Sequence, residues 1–558
     1  MKKLLRICHI SLGLVTLFFP VTKVFAQKVF AQDIKISFDQ YRLPVLPGKE
    51  RNPVAGLTVT HMSNETIDLT TLRLKIISSG KGMITSVSLL SLGQDSAAAA
   101  DTKMAKAIEV GRSPGKSDGS AEINGRVSLK NGKNYFLITV SVSQQSSLYD
   151  SIQVLATQAV FGKRSMNITA PSRITWQRIA TSVRRAGEEN VVTHRIPGIA
   201  TASDGSLLSI YDARRLKAQD LQGDIDIGLS RSFDKGKTWQ PMQVVLDMGE
   251  WGGLPQKFNG VSDACILVDK KTGTIFIAGL WMYGVIDHDG KWVENLTDTS
   301  TTWNHQWRSK GSQPGFDVKQ TSQFLITKSI DNGKTWSEPV NLTRMCKKEE
   351  WWLWAPAPGA GITLADGTLV FPTQGRDAKG KPFSNITYSK DGGKTWATSK
   401  PAMDEATTEN MAVELKDGSI MLNMRANENK NDTSAGNGRA IAVTKDLGQS
   451  WNIHPASHKA LQEPVCMASI IRHDYKQNGQ KKSLLIFCNP DSKVARHNIT
   501  LKVSYDDGKT WHRKLLMDEK KARGYSCLTS IDENTIGVIY ESSQADLVFQ
   551  AVKLDELL

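Results

Sequence analysis

One segment of the chain, residues 194–239, concentrates side chains that could do chemistry. It opens with the tripeptide Arg195-Ile196-Pro197 and closes on Trp239. Guanidinium groups bind anions and carboxyl groups transfer protons, so a cluster of both types indicates a functional site. The charged candidates in this segment are Arg195, Arg214, Arg215, Asp220, Asp224 and Asp226.

The end of the same segment is an octapeptide that the chain repeats four more times. The first copy is Ser232-Phe233-Asp234-Lys235-Gly236-Lys237-Thr238-Trp239, and the shared pattern is S-x-D-x-G-x-T-W. An Asp can bond the backbone two residues on and Gly takes a positive φ, so each copy predicts a tight hairpin turn. The Trp is expected to pack over the hairpin as an apolar lid. The other copies begin at Ser329, Ser389, Thr444 and Ser504.

The aspartates of these repeats are expected to shape turns and not to catalyse. The fourth copy starts with Thr444 and has Ser450 in place of the usual Thr, which should affect only the quality of that turn. The turn-forming aspartates are Asp234, Asp331, Asp391, Asp446 and Asp506.

Short apolar runs between the repeats have the length and composition of strands. About four strands for each repeat is the pattern of a β-propeller, in which small sheets are arranged around an axis. The interval between the first two repeats is longer than the others, which predicts an insertion or a blade without the motif. The clearest runs are residues 367–371, 420–424, 484–487 and 536–540.

Residues 32–172 differ in composition from the rest of the chain. They contain no Trp, whereas the following residues hold all 14. Residues 72–76 and 136–142 alternate between large apolar side chains and others, which predicts half-buried strands. We therefore expect a small N-terminal β-sandwich, a candidate carbohydrate-binding module, ahead of a second domain at residues 173–558.

The first 26 residues have the pattern of a secretory signal. Three basic residues precede an apolar run at residues 10–19, which is too short to span a bilayer. Val24-Phe25-Ala26 fits a cleavage site. We therefore expect an exported protein that is periplasmic, on the cell surface or secreted, and we find no other stretch that is long and apolar enough to cross a membrane.

Charge and cysteine usage narrow the class of protein. The formal net charge of +14 favours anionic partners, but the lysines are dispersed, so nucleic acid is not expected. The cysteines after the signal are odd in number and widely spaced, without a CxxC or a Cys/His metal-ligand pattern. This favours buried free thiols and predicts no metal and no cofactor. These residues are Cys265, Cys346, Cys466, Cys488 and Cys527.

Arg195-Ile196-Pro197 followed by five such repeats resembles the sialidase (neuraminidase) family, and specifically the bacterial secreted exo-α-sialidases. The resemblance covers about residues 174–558. It implies a six-bladed β-propeller that removes terminal sialic acid from glycoproteins, glycolipids and oligosaccharides, with retention at the anomeric centre. Sialidases with a tyrosine nucleophile are an exception among glycosidases, most of which use two carboxylates.

The substrate explains which side chains such a site needs. Sialic acid carries a carboxylate on its anomeric carbon, and converging arginines match that group bidentately. A carboxylate nucleophile would be repelled by the charge of the substrate, whereas a tyrosine stays neutral until a neighbouring Glu takes its proton. A separate carboxylic acid must protonate the leaving oxygen.

By this resemblance, Asp220 is the acid/base. Asp224 and Asp226 are alternatives, although their alternation with isoleucines favours a structural role in a strand. The implied carboxylate-binding arginines are Arg195, Arg425 and Arg496.

The resemblance also implies a nucleophile, Tyr525, in the stretch Gly-Tyr-Ser-Cys-Leu. Glu409 would draw the proton from that tyrosine, and Glu405 and Glu414 are alternatives. Glu541 would orient the first of the arginines through a salt bridge.

Further residues are implied to contact the sugar. Arg214, with Arg215 as its alternative, would contact ring substituents, and Asp263 would line the pocket. The pocket for the N-acetyl group is expected within residues 251–316. Its candidates are Trp281, Met282, Trp303 and Trp307.

Two other functions could use the same residues. One is a trans-sialidase, in which an acceptor other than bulk water takes the sialyl group. The other is a non-catalytic sialic-acid-binding propeller, which would not need Tyr525, Glu409 and Asp220 together. Sialylated glycans are the expected partners in every case.

Overall fold

The computed structural model describes residues 33–80, 83–97, 104, 106–115, 119–221, 223–251, 256–283, 312–318 and 320–558. Of these described residues, 52% are in strands and 4% are in helices, so this part of the chain is all-β. The expected signal at residues 1–26, together with Trp303 and Trp307, lies outside the described residues. Within them, no helix has the length and apolar character needed to cross a membrane.

The described residues of the N-terminal part contain ten strands in two antiparallel sheets. The strands are β1 (Ile34–Gln40), β2 (Asn52–His61), β3 (Ile67–Ser78), β4 (Ile84–Gly93), β5 (Ile108–Pro114), β6 (Gly119–Leu129), β7 (Gly132–Val142), β8 (Ser151–Phe161), β9 (Arg164–Asn167) and β10 (Gln177–Arg178). One sheet has the order β1-β2-β7-β4-β5, and the other has the order β10-β8-β3-β6 with β9 beside β8. Side chains from both sheets share one hydrophobic core.

The two alternating segments of this part behave differently. In β3, Leu72, Leu74 and Ile76 are buried while the residues between them are exposed, so the prediction of a half-buried strand is confirmed. In β7, Leu137 and Thr139 are buried as well, so the same prediction is wrong there. The reason is that β7 lies inside its sheet and a second apolar cluster covers its other face.

The rest of the chain forms shorter strands and a few helical turns. The strands are β11 (Thr181–Arg184), β12 (Thr193–Thr201), β13 (Leu207–Arg214), β14 (Ile225–Ser232), β15 (Gln243–Leu246), β16 (Asn259–Val268), β17 (Ile275–Tyr283), β18 (Gln323–Ser329), β19 (Val340–Asn341), β20 (Leu353–Pro356), β21 (Gly359–Ala360), β22 (Ile362–Thr363), β23 (Leu369–Arg376), β24 (Pro382–Ser389), β25 (Ala397–Thr398), β26 (Thr407–Glu414), β27 (Ile420–Ala426), β28 (Ala440–Thr444), β29 (Asn452–Ile453), β30 (Ser469–Gln477), β31 (Gln480–Pro490), β32 (Ile499–Ser504), β33 (Arg513–Asp518), β34 (Ser526–Asp532), β35 (Thr535–Tyr540) and β36 (Leu547–Lys553). The helical turns are Glu188–Asn190, Gln256–Phe258, Thr343–Cys346, Asn427–Asn429 and Leu554–Glu556.

These strands form successive sheets along the chain. The sheet orders are β12-β13-β14-β16-β17-β18-β19, β20-β23-β24-β25, β26-β27-β28-β29, β30-β31-β32-β33 and β11-β36-β35-β34. In the largest sheet, β14 and β16 join through a single parallel pair, Ile225 with Gly260. The strand β11 pairs with β36, so both ends of this part of the chain share one sheet. The strands predicted between the repeats are confirmed as parts of β23, β27, β31 and β35.

Each octapeptide forms the predicted turn, through a different set of bonds. The hydroxyl of Ser232 donates to Asp234 at 2.9 Å and accepts the N–H of Gly236 at 2.8 Å. Asp234 accepts the N–H and the hydroxyl of Thr238, at 2.8 and 2.6 Å. The expected bond from Asp to the backbone two residues on was therefore wrong, because the acceptor reaches four residues on. The longer first interval is an insertion, since the first two turns follow β14 and β18, and residues 284–322 separate β17 from β18.

The repeats also join neighbouring sheets. A Cβ atom added at Gly236 would lie 2.0 Å from the ring of Phe549 in β36, so only glycine allows this approach. Trp239 meets the same ring edge-on at 5.4 Å. Trp396 likewise packs against Phe276 of β17 at 6.0 Å. These two tryptophans therefore pack between adjacent sheets.

Strand pairing and a hydrogen bond connect the two parts of the chain at the link between them. β10 pairs with β8 of the first part and β11 pairs with β36 of the second, so the strand pairing changes partner between Arg178 and Thr181. This lies a few residues beyond the expected boundary at residue 173. Lys49 donates to the side chain of Gln544 at 2.9 Å, which adds a polar contact between the two parts.

Candidate active site

Local irregularities in three strands aim side chains at one place. The pairing register shifts after Arg195 in β12, around Asp263 in β16 and around Glu409 in β26. Such bulges turn a side chain away from the regular pleat. Ile196 has φ 58° and Asp263 has φ 55°, and a β-branched residue rarely adopts the left-handed region. The strand ends are therefore held in a shape that regular strands would not produce.

The side chains at these irregularities line a cavity of about 310 Å³. Most of the site residues expected from the sequence lie together here: Arg195, Asp220, Asp263, Glu409, Arg425, Arg496 and Tyr525. The other lining residues are not among the site residues predicted from the sequence: Ile196, Leu221, Ser262, Gln374, Arg376, Thr408 and Asn427. Arg214 and Glu541 are not among the lining residues, but they form ion pairs with two of them, Asp220 and Arg195.

Tyr525 and Glu409, which both line the cavity, form a direct pair. The phenol hydroxyl of Tyr525 donates to Oε1 of Glu409, and Arg425 donates to the other carboxylate oxygen at 2.6 Å. Arg425 also lies 3.3 Å from the hydroxyl of Tyr525. Burial, and then the charge of Glu409, raise the pKa of Tyr525 well above its ordinary value. The phenol is thus neutral, with an acceptor for its proton in place.

Glu541 connects Arg195 to Tyr525. Its Oε1 accepts Nε of Arg195 at 2.5 Å and the N–H of Ile196 at 3.0 Å. Its Oε2 accepts the N–H of Tyr525 at 3.0 Å. The carboxylate is 2% exposed, and from inside the fold it links the sheet that contains β12 to the sheet that contains β34 and β35.

Arg496 approaches Tyr525 from another side. Its guanidinium donates to the carbonyls of Arg523 at 3.1 Å and Val465 at 3.0 Å. The Cζ atoms of Arg496 and Arg195 lie 5.5 and 5.7 Å from the centre of the Tyr525 ring. Cations placed over a ring are attracted to its face. With Arg425, three guanidinium groups therefore surround one phenol.

Asp220 stands on a loop that Arg214 holds. Arg214 donates to Asp220 at 2.6 Å, to the carbonyl of Ala218 at 3.0 Å and to Asp212 at 3.0 Å. The side chain of Arg214 is 0% exposed, whereas that of Asp220 is 71% exposed. Although partial loss of water inside the cavity raises it, the guanidinium groups of Arg214 and Arg195 hold the pKa of Asp220 below its usual range. Asp220 is therefore ionised in the free protein.

Asp212 is a buried carboxylate that was not predicted as a site residue from the sequence. It accepts the hydroxyl of Ser262 at 2.7 Å, and burial raises its pKa even though Arg214 opposes this. Its place two residues before Arg214 could have indicated the pair, since alternate residues of a strand share a face.

The alternatives raised from the sequence point elsewhere. Arg215 pairs with Asp226 at 2.7 Å. Glu405 contacts His458 at 2.8 Å, and Glu414 accepts the N–H of Ala365 at 3.0 Å. Asp224 is also absent from the described lining of the cavity.

The wall beside Asp220 is partly apolar. Leu221 lines the cavity and belongs to a buried cluster with Met282, Ile225 and Leu353. Trp281 is fully buried and packs against Trp251 at 4.4 Å, away from the lining. Of the described candidates for the N-acetyl pocket, Met282 is thus the one that supports a lining residue. Across the cavity, Gln374 lies 3.5 Å from Asp263, whose pKa burial and Glu409 raise well above its usual value.

The cysteines are free and buried as predicted. Among the described residues, no group of three or more His, Cys, Asp or Glu side chains is arranged to hold a metal ion.

Comparison with known proteins identifies the family of the chain. The BNR repeat-like domain matches residues 196–541, and the N-terminal domain of BNR-repeat neuraminidase matches residues 33–165. A sialidase of Bacteroides fragilis is 42% identical over 439 residues, which is 78% of this chain and 76% of that protein. The chain belongs to the BNR-repeat sialidase family of glycoside hydrolases.

Other sialidases extend the likeness. A sialidase of Paraclostridium sordellii is 29% identical over 371 residues, covering 63% of this chain and 82% of its own. The solved structure of Hadza microbial sialidase Hz136 is 33% identical, with a TM-score of 0.82, and the match covers 93% of this chain and 100% of that one. The repeated sheets of this sialidase accordingly form a fold of the β-propeller type.

Proposed function

We propose that this sialidase is an exo-α-sialidase that releases terminal sialic acid from glycoproteins, glycolipids and oligosaccharides, with Tyr525 as nucleophile and with retention at the anomeric carbon. The observation that carries the proposal is the hydrogen bond from Tyr525 to Glu409 inside a cluster of three arginines. Members of the family named sialidases support the substrate class.

The arginines would bind the carboxylate of the sugar. Arg195, Arg425 and Arg496 bring three charged donors to one side of the cavity, and a guanidinium group binds a carboxylate in two parallel bonds. This binding would hold the anomeric carbon above the hydroxyl of Tyr525. It would also offset the positive charge that crowds the free site.

Tyr525 would then attack the anomeric carbon while Glu409 takes the phenol proton. The bond to the leaving oxygen breaks, and a covalent sialyl-tyrosine forms. Arg425 touches both the hydroxyl and the carboxylate, so it stabilises the charge as the proton moves between them. Water later cleaves the sialyl-tyrosine bond, and the proton returns to the tyrosine.

Asp220 would protonate the leaving oxygen and later act as base toward water. In the free protein its pKa is lowered, because Arg214, Arg195 and Arg496 are close. A bound sialic acid carboxylate would neutralise part of that charge at Arg195 and Arg496. The pKa of Asp220 would therefore rise on binding, which prepares the acid only when substrate is present.

The finer architecture belongs to the same proposal. The single parallel pair between β14 and β16 divides the largest sheet into two groups of strands. Counting them separately gives six blades, the last of which combines β11 with β34 to β36. The two N-terminal sheets with their shared core would form a β-sandwich. We also propose that the chain is exported by its first 26 residues.

The decisive experiment uses sialyllactose. The purified protein should release free sialic acid, and NMR should detect the α-anomer first, as retention requires. Replacement of Tyr525 by Phe should abolish release. Transfer of the sialyl group to added lactose in place of its release as free sialic acid would contradict hydrolysis. The β-anomer as first product would contradict retention.

A further inference from the structure

A buried ion pair bonds the backbone that supports two of the three arginines, Arg425 and Arg496. Arg439, which directly precedes β28, and Glu463 are each 0% exposed, and Nη1 of Arg439 lies 2.5 Å from Oε2 of Glu463. Burying two charges is costly, and apolar side chains of similar volume often serve stability equally well. Stability alone therefore does not explain this ion pair. The other hydrogen bonds of Arg439 and Glu463 indicate a role in positioning.

The first set of bonds fixes the strand that carries Arg425. Arg439 donates to the side-chain oxygen of Asn423 at 2.8 Å and to its carbonyl at 3.3 Å. Glu463 accepts the N–H of Ala426 at 2.7 Å. Asn423 and Ala426 lie on either side of Arg425 in β27, so the ion pair holds this stretch of backbone from both ends.

The second set of bonds fixes the acceptor of Arg496. Arg439 donates to the carbonyl of Cys466 at 2.8 Å. The preceding residue, Val465, has φ 53°, which is unfavourable for a β-branched side chain, and its carbonyl accepts Nη2 of Arg496 at 3.0 Å. The short segment from Glu463 to Cys466 thus carries both a member of the ion pair and the acceptor for Arg496.

We propose that the Arg439–Glu463 ion pair is a positioning device that sets the distance between Arg425 and Arg496, and hence the fit of the substrate carboxylate. This rests on the proposed function, in which these arginines bind that carboxylate. Neither member of the pair lines the cavity, so the pair acts only through the backbone that it holds.

The test is the double substitution Arg439→Met with Glu463→Leu, which removes both charges together and leaves none unpaired. The readouts are kcat and KM for sialyllactose, and the affinity for the 2,3-dehydro analogue of sialic acid compared with its methyl ester. We expect KM to rise and the preference for the acid over the ester to fall by about tenfold, as loss of a charged hydrogen bond would give. The matched control is Arg178→Met with Glu556→Leu, which removes an ion pair away from the cavity.

The inference is overturned if the double variant has the melting temperature of the wild type and also keeps the wild-type KM and the preference for the acid. If that variant does not fold, Arg439→Lys replaces it, because Lys keeps the charge beside Glu463 but cannot reach Asn423 and Cys466 together. Arg439→Lys should lose acid preference, and full retention again overturns the inference. A wild-type protein that neither cleaves sialyllactose nor prefers the acid would instead refute the proposed function.

Discussion

The hydroxyl of Tyr525 donates to Glu409, a residue of a different sheet more than a hundred positions earlier in the chain. Arg425 binds the other oxygen of the same carboxylate. The phenol, its proton acceptor and a charged donor are therefore assembled before any substrate arrives. Preorganised charge of this kind lowers the barrier because no rearrangement is needed during the reaction.

Replacing Tyr525 by Phe should lower kcat for sialyllactose by about 10³-fold or more, as loss of a nucleophile does in other enzymes. Binding of the 2,3-dehydro analogue should change little, since the arginines remain. Steady-state kinetics and calorimetry measure the two effects. Tyr540→Phe is the matched control, because this buried tyrosine bonds Gln550 and lies off the cavity. Equal activity of the Tyr525 and Tyr540 variants would refute the nucleophile.

Replacing Asp220 by Asn should lower kcat/KM for sialyllactose by roughly 10²–10⁴-fold, the usual contribution of a general acid. The loss should be much smaller for an aryl sialoside, whose leaving group needs no proton. The ratio of the two activities is the measurement. A loss of the same size for both substrates would show that Asp220 is not the acid.

Replacing Asp212 by Asn should move the alkaline limb of the pH profile. The charge of Asp212 offsets that of Arg214, so without it Arg214 lowers the pKa of Asp220 further. An acid with a lower pKa loses its proton sooner, so kcat/KM should begin to fall at a lower pH. Asp226→Asn, which removes a buried carboxylate paired with Arg215, is the control and should leave the profile unchanged. An unmoved profile in the Asp212 variant would speak against this coupling.

Replacing Glu541 by Gln should destabilise the protein by about 3 kcal/mol or more, because it leaves Arg195 buried without its partner. KM for sialyllactose should rise as well, since Arg195 loses its orientation. Glu533→Gln breaks an ion pair with Lys476 in which both side chains are 55% exposed, and it should cost less than about 1 kcal/mol. Denaturant titrations compare the two, and equal costs would contradict the role of Glu541.

The turns of the repeats should make the fold sensitive to acid. Although burial raises it, the bonds from Thr510 and Ser504 lower the pKa of Asp506 to about 2, against about 3.9 in an unfolded chain. A depressed pKa gives stability that is present above pH about 4 and is lost as the pH falls toward about 2. Melting temperatures across that window should fall less for Asp506→Asn than for wild type. Asp507→Asn is the control, and an equal slope in both variants would contradict the prediction.

The sequence predicted the features that repeat. The octapeptides identified the turns, and the apolar runs between them identified β23, β27, β31 and β35, because both depend on neighbouring residues only. Burial of β7 on both faces was not predicted, because it depends on which cluster covers the sheet from outside.

For the site, the family motif led to the residues that meet in the cavity. The supporting pairs, such as Arg439 with Glu463, had no local signal, because their partners are chosen by tertiary contacts. Asp212 differs from these pairs, because its position two residues before Arg214 in the same strand is a local signal. Only its burial could not be predicted from the sequence.

Pairing of β11 with β36 has a consequence for synthesis. Arg195 is translated more than three hundred residues before Tyr525 and Glu541. The ring can close only when β36 is free to join β11, so an unfinished chain would hold an open arc with its reactive groups apart. Activity should therefore appear only after β36 has been made, and products that end before β36 should be inert.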